Sequence, residues 1–316
     1  MADNLSIFSF NMRSQLIIFT KNLLILAVII FVADFGIGKA LSYIYFNQKT
    51  GTRYRTTYTL DSTNANLLIL GSSRASHHFN SNLLSERNST TTYNCGRDGT
   101  NIIYASTVLK SILKRYKPKT IILDLNSSDF YKIPGNNENL LSLLPYYESH
   151  PELQRILEGR NDFESIKLLS KIYPFNSSIV SAISEKFKVT EKDINGFMPL
   201  VGYDNSIQRD TLNLSNFEKN YQNFYYLKQI AEDCNNNGVE LIVVQSPRLT
   251  YYKNDFTFRI IDKILNKYSF RYINFINNPI YLNNPKFFKD QAHLNQEGAD
   301  FFSKQVSFLL NKTSAN

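Results

Sequence analysis

Short aliphatic runs recur along the chain, each followed by polar turn residues and then by a stretch with helical spacing. NLLIL (66–70), YNC (93–95), TIILDL (120–125), VELIVVQ (239–245) and RYINF (271–275) read as strands. Their apolar residues are nearly continuous instead of alternating, the pattern of a parallel sheet buried on both faces. Helices are expected near 81–86, 102–116, 217–235, 256–268 and 296–310, and the Asn235, Asn236, Asn237, Gly238 cluster reads as a helix stop. Strand and helix in repetition predict an α/β fold, a three-layer sandwich around a mostly parallel sheet with right-handed crossovers.

Two regions break that rhythm. Residues 16–37 are mostly apolar, densest in LLILAVIIFV (23–32), which is long enough for one helix to cross a bilayer. Lys21 and Asp34 interrupt the run near its two ends, where such groups reach the headgroups. A buried core helix would show the same pattern. GIGKALSYIYF follows the run without a small-residue cleavage site, so a retained anchor over 1–38 is expected, followed by a polar stalk over 39–65 without a periodic apolar face. The folded body then covers 66–316. Within it, 131–215 carries Pro134, Pro145, Pro151, Pro174 and Pro199 and is too long for a bare loop. There DFESIKLLSKI (162–172), with Asp162 as a helix cap and apolar Phe163, Ile166, Leu169 and Ile172, predicts a partly helical cap over one sheet edge.

Composition narrows the function classes only a little. The 316 residues carry a formal charge of +8, yet Lys and Arg are spread along the chain, with no basic stripe interleaved with aromatics, so no nucleic-acid partner is expected. Cys95 and Cys234 lack the paired spacing of a zinc site or redox dithiol, and a disulfide framework is excluded. Basic residues flank the apolar run on both sides, Arg13 and Lys21 before it and Lys39, Lys49, Arg53 and Arg55 after it; counting them favours a cytoplasmic body.

The chemistry concentrates where the first strand ends, in LLILGSSRAS (67–76). In a parallel sheet the ligand crevice lies at the carboxyl ends of the strands, so residues just after Leu70 are aimed at it. Gly71 permits a sharp bend, and a serine there, just before a helix, presents its hydroxyl outward with its own N–H near the helix start. Such a serine needs a base and a group to orient that base. The chain has four histidines. His77 and His78 follow the turn so closely that they are expected to point away from it, and His150 sits before Pro151 in the insertion. In DQAHLNQEG (290–298), Asp290 lies three residues before His293 with a helix beginning just after. That spacing lets the carboxylate hold one ring nitrogen while the other faces the crevice, the division of labour in a Ser-His-Asp triad.

LILGSSR, followed far downstream by DQAHLNQEGADFF, resembles the SGNH, or GDSL-type, hydrolase superfamily, with its flavodoxin-like sandwich, across residues 66–310 apart from the insertion. The family's first block is Gly-Asp-Ser; Gly71-Ser72-Ser73 matches with serine in place of aspartate, so the resemblance makes Ser73 the nucleophile. Its last block, Asp-x-x-His, is matched by Asp290 and His293. YNCGRDGTN is similar to the second block and implies the Gly99 N–H as an oxyanion donor. The third block, Gly-x-Asn-Asp, is met by Asp124-Leu125-Asn126-Ser127, which retains Asn126 as a donor and loses the flanking pair. Arg74 and Arg248 stand as candidate substrate contacts, Arg74 as a clamp at the crevice or as a structural ion pair, and Arg248 in SPRLTYY (246–252) after the fourth strand.

The serine variant with one N-terminal anchor looks most like the branch that includes the D-alanyl-lipoteichoic acid transfer protein and the periplasmic polysaccharide acetylation proteins. That resemblance implies a membrane-anchored esterase or O-acyltransferase, acting on an acylated or acyl-accepting envelope glycan, with a multi-span O-acyltransferase as a possible donor partner and the body outside the cytoplasmic membrane. It implies no cofactor and no metal. The alternative is a non-catalytic glycan-binding or assembly module on the same fold.

Overall fold

The computed structural model describes residues 3–133, 140–176, 195–203 and 205–311, so the parts of the 131–215 insertion at 134–139, 177–194 and 204, with Pro134, lie outside the described residues. In chain order the elements are α1 (Asp3–Phe46), α2 (Gly51–Asp61), β1 (Leu67–Leu70), α3 (Ser73–His78), α4 (Ser81–Asn88), β2 (Thr92–Asn94), α5 (Ile102–Arg115) and β3 (Thr120–Asp124). After them come α6 (Pro151–Glu158), α7 (Glu164–Lys167), β4 (Thr211–Asn213), α8 (Tyr221–Asn236), β5 (Glu240–Gln245), β6 (Tyr251–Lys253), α9 (Thr257–Asn266), β7 (Arg271–Asn274), α10 (Pro279–Leu282) and α11 (Gln296–Asn311).

Five strands form one sheet in the order β2-β1-β3-β5-β7, every neighbouring pair parallel, and β4 and β6 form a separate parallel pair. Leu68 lies opposite Tyr93 on one side and Ile121 on the other, and Ile122 opposite Ile242. Successive strand residues point to opposite faces, so a strand covered on both sides must be apolar throughout. Leu68, Leu70, Ile121, Leu123, Leu241 and Val243 accordingly enter one core with α5, α8 and α9. Leu67, Ile69, Ile122, Ile242 and Val244 enter a second core with α3, α4 and α11. These are the three layers that the strand pattern predicts. Local signals agree: the Asn101 side chain accepts from the Ile103 and Tyr104 N–H groups at the start of α5, and Lys114 and Arg115 sit in its last turn, where the helix dipole favours cations.

The chain leaves β1 toward β2 on one side and returns to β3 on the other. The crevice of such a sheet opens at the carboxyl ends of β1 and β3, where this reversal occurs. The turns after those two strands carry Ser73 and Asn126.

The amino-terminal region departs from expectation. Residues 12–46 belong to one helix long and apolar enough to cross a membrane, and its most apolar stretch is wholly exposed, unlike a core helix. That helix does not stop near residue 38. It continues to Phe46, and Tyr45 is buried in the body. The expected stalk contains α2, whose Arg53, Arg55, Thr56, Thr59 and Leu60 are buried. A helix that buries arginines and threonines has no aliphatic stripe to find in a sequence. Their polar groups are met by the body: Arg55 donates to the Ser76 Oγ at 3.0 Å and the Gly96 carbonyl at 2.6 Å, and Arg97 donates to the Thr56 Oγ1 at 2.5 Å.

Among the described residues of the insertion, α6 packs on α5. The helix expected over 162–172 is reduced to α7; Phe163, not Asp162, occupies the capping position, and no side chain caps the helix there.

Candidate active site

Gly71 makes the bend after β1 with φ of 147°, and a Cβ there would meet Ala75 Cβ at 2.8 Å and the Asp124 carbonyl at 2.9 Å. Any larger residue is excluded by both conformation and space. The bend places Ser73 at the first position of α3, partly exposed, where a backbone N–H has no intrahelical acceptor.

His293 approaches from the other end of the chain. Its Nε2 lies 2.7 Å from Ser73 Oγ, and its Nδ1 lies 2.8 Å and 3.0 Å from the two Asp290 carboxylate oxygens. Asp290 Oδ1 also accepts the backbone N–H groups of Ala292 at 2.8 Å and His293 at 2.9 Å, which folds the turn and fixes the carboxylate. Burial raises the Asp290 pKa, but the hydrogen bonds from the His293 ring and the two N–H groups outweigh it and bring the value down to about 2. The carboxylate is therefore ionised at neutral pH and can only accept. Nδ1 carries the ring proton toward it, and Nε2 is left to accept from the Ser73 hydroxyl.

His78 explains how two segments so far apart in sequence meet. It is fully buried at the end of α3; its Nε2 accepts the Leu294 N–H at 3.0 Å, so its Nδ1–H donates to Ser246 Oγ at 3.0 Å. Burial first, and then the nearby Arg74, His293 and His77, hold its pKa well below the ordinary histidine range, which keeps it neutral. His78 thus latches α3 onto the residue next to His293. His77 also differs from expectation: both His77 and His78 stand edge-on to the His293 ring, with centroids 5.5 Å and 6.3 Å away. Both nitrogens of His77 meet acceptors, the Met198 carbonyl at 2.6 Å and the Asp98 carboxylate at 3.1 Å. Burial opposes its charge, but the hydrogen bond and charge of Asp98 raise its pKa overall. The doublet directly after GSSRAS was the available sequence signal for both residues. His150, by contrast, bridges Asp61 on α2 and Glu152 on α6.

The remaining candidates separate. Gly99 lies on the exposed turn after β2 with φ of 71°, and its N–H donates to no described backbone carbonyl. Asn126 begins the 3₁₀ turn after β3, and its Oδ1 takes three donors: the Ser128 N–H at 3.3 Å, the Tyr252 hydroxyl at 3.1 Å and Arg248 Nη1 at 3.4 Å. Tyr252 was not singled out by sequence, because a buried tyrosine on a strand reads as core.

Arg74 is corrected. It does not clamp anything in the crevice: it is buried, donates to the Leu125 carbonyl and to the Ser246 carbonyl at 3.3 Å, and lies 3.5 Å from Asp124, tying together the ends of β3 and β5. Arg248 stacks on the Tyr252 ring at 4.9 Å, donates to its hydroxyl, and lines an open cleft of about 710 Å³ that includes Arg209, Lys289 and Asp290. Cys95 and Cys234 are free and buried.

No family model matches the chain, and no curated protein matches it in sequence. Among solved structures it is similar to a protein assigned as an acylhydrolase from Bacteroides fragilis, with a TM-score of 0.40 and 11% identity over 78% of this chain and 86% of that one. It is also similar to the lipase/acylhydrolase from Enterococcus faecalis, with a TM-score of 0.37 and 9% identity over 78% of this chain and 96% of that one.

Proposed function

We propose that the protein is a membrane-anchored serine esterase or O-acyltransferase that forms a covalent acyl-enzyme on Ser73. The observation that carries this reading is the 2.7 Å contact between Ser73 Oγ and His293 Nε2, with the opposite ring nitrogen held by an ionised Asp290. His293 takes the hydroxyl proton as Ser73 Oγ attacks the acyl carbon of an ester. The tetrahedral oxyanion is met by the Ser73 N–H, the Gly99 N–H and the Asn126 amide. As the bond to the leaving alcohol breaks, the imidazolium returns its proton to that oxygen. Water or a sugar hydroxyl then gives a proton to His293 and attacks the acyl-enzyme, and Ser73 regains its hydrogen as the product leaves.

Water as acceptor gives an esterase and a glycan hydroxyl gives a transferase. The N-terminal helix and the resemblance of the sequence blocks favour envelope polysaccharide as the glycan, acetyl as the acyl group, a multi-span O-acyltransferase as donor, and a body outside the cytoplasmic membrane.

Labelling of the full chain by a fluorophosphonate, together with hydrolysis of a chromogenic acetyl ester, tests the reading. Ser73→Ala is expected to abolish labelling and nearly all turnover, while Ser72→Ala keeps both. Equal labelling of wild type and Ser73→Ala overturns the assignment. Glycan binding without labelling or turnover would instead identify a non-catalytic module.

A further inference from the structure

Three large apolar side chains crowd one short segment beside α1. Phe163, Ile166 and Leu169 are 65%, 63% and 76% exposed. Single exposed apolar residues are ordinary on a protein surface, but a cluster on seven consecutive residues marks a contact site. They point outward because the inside is taken: Glu164 is fully buried and accepts from Arg160 at 2.6 Å, Asn161 at 2.5 Å and the Tyr173 hydroxyl at 2.8 Å. The segment is held in this orientation by its polar groups.

The same segment is fastened to the helix. The Asp34 carboxylate of α1 accepts from Ser170 Oγ at 2.5 Å, the Lys171 N–H at 2.7 Å and the Ile172 N–H at 3.4 Å. Gly38, one turn further on, lies so close to this turn that a Cβ would meet Lys171 Cβ at 2.4 Å. Asp34 also marks a depth. At about 1.5 Å per residue, residues 16–33 rise about 27 Å, close to the ~30 Å hydrocarbon layer of a bilayer. A helix that buries this run in lipid sets Asp34 at the headgroup boundary. Leu169 is joined directly to Ser170, which bonds Asp34, so the end of the apolar segment is fastened to α1 at that level. On α1 itself, on either side of Asp34, Phe31 is 71% and Phe35 47% exposed.

We propose that Phe163, Ile166 and Leu169 form a second membrane contact, entering the interfacial layer of the bilayer that α1 crosses and holding the body against its surface. Lys167 and Lys171, next to them in sequence, are held by protein groups, Lys167 by Asn161 and Glu164 and Lys171 by Glu148, so the contact rests on the apolar side chains. This inference rests on α1 being a membrane anchor.

The test uses the full chain in lipid nanodiscs, with one added cysteine carrying an environment-sensitive NBD label at position 166 (Ile166→Cys) or, separately, at 27 in α1 (Ala27→Cys). Cys95 and Cys234 are buried with thiols pushed up to about 12, so the added thiol is the one labelled. The label at 166 is expected to lose fluorescence to nitroxide-bearing lipids, as the label at 27 does, and to keep it against iodide. Quenching at 166 by iodide and not by lipid, with 27 still lipid-quenched, overturns the second contact and leaves the anchor standing. Quenching of both positions by iodide removes the anchor and the proposal together. Shielding of 166 from both quenchers means that protein covers the patch, which also overturns the proposal.

Discussion

An amide side chain has one end that can stabilise an oxyanion and one that repels it, so Asn126 is useful only if held one way round. Three donors converge on its Oδ1, from Ser128, Tyr252 and Arg248, which turns the Nδ2 end away from them. The Arg248 guanidinium also donates to the Tyr252 hydroxyl, so the arginine acts on the amide both directly and through the tyrosine. This arrangement makes two readings of Arg248 separable. Asn126→Ala is expected to lower kcat/KM for an acetyl ester by about 10²–10³-fold, the effect of one lost oxyanion donor. If Arg248 works by orienting Asn126, Arg248→Met and Tyr252→Phe lower kcat with KM little changed; a rise in KM at constant kcat would make Arg248 a substrate contact instead. A second residue-scale consequence concerns pH. The His77 pKa is raised above 6.5 in the fold, so the stability it gains from Asp98 is fully present below 6.5 and is lost as pH rises through the folded value. The Asp98 pKa is lowered below 3.8: burial raises it, but the His77 hydrogen bond and charge prevail. Its contribution is present above 3.8 and is lost as pH falls through the folded value. Between those limits the pair contributes most. Thermal melts of His77→Gln should therefore show a larger loss of Tm near pH 5.5 than near pH 9, and an equal loss at both would mean that the pair is not charged.

At the scale of elements, what could be read from the sequence follows what each element buries. β1, β3 and β5 are aliphatic through and through because both of their faces are covered, and that pattern located them to within a residue or two. The turn after β1 was legible for a related reason, since a bend of that sharpness admits only glycine at position 71. The meeting of Ser73 with His293 was legible only as a role and not as a contact, because it depends on His78 bonding the Leu294 N–H across 216 positions. α2 escaped notice because its inward side is arginine and threonine, and hydrogen bonds in place of aliphatic burial leave no period in the sequence. Arg74 was ambiguous for the opposite reason. An arginine beside a serine at a crevice could face solvent or substrate, and only Asp124 and the carbonyls of Leu125 and Ser246, brought in by β3 and β5, pull it inward. The 162–172 periodicity was real in spacing but misleading in direction, because the buried Glu164 reverses which side faces the body.

On the scale of the whole molecule, α1 joins an exposed apolar part, long enough to cross a membrane, to a part that belongs to the body. Its exposed apolar stretch ends near Asp34, and eleven positions later Tyr45 is 3% exposed, its ring against Tyr146 at 5.9 Å, Phe175 at 5.7 Å and Phe46 at 5.0 Å. The Arg53 guanidinium lies over the same ring at 5.7 Å. No break in α1 separates the two parts, so no irregular tether lies between the exposed apolar stretch and the body. The arrangement has an energetic signature. Removing a large aromatic side chain from such a cluster leaves a cavity and costs about 3–5 kcal/mol. Tyr45→Ala should lower the stability of the detergent-solubilised body by that amount, whereas Tyr43→Ala, whose side chain is 70% exposed on the same helix, should leave it within about 0.5 kcal/mol of wild type. If the body melts independently of α1, the two variants will behave alike, and the helix would then be a tether after all.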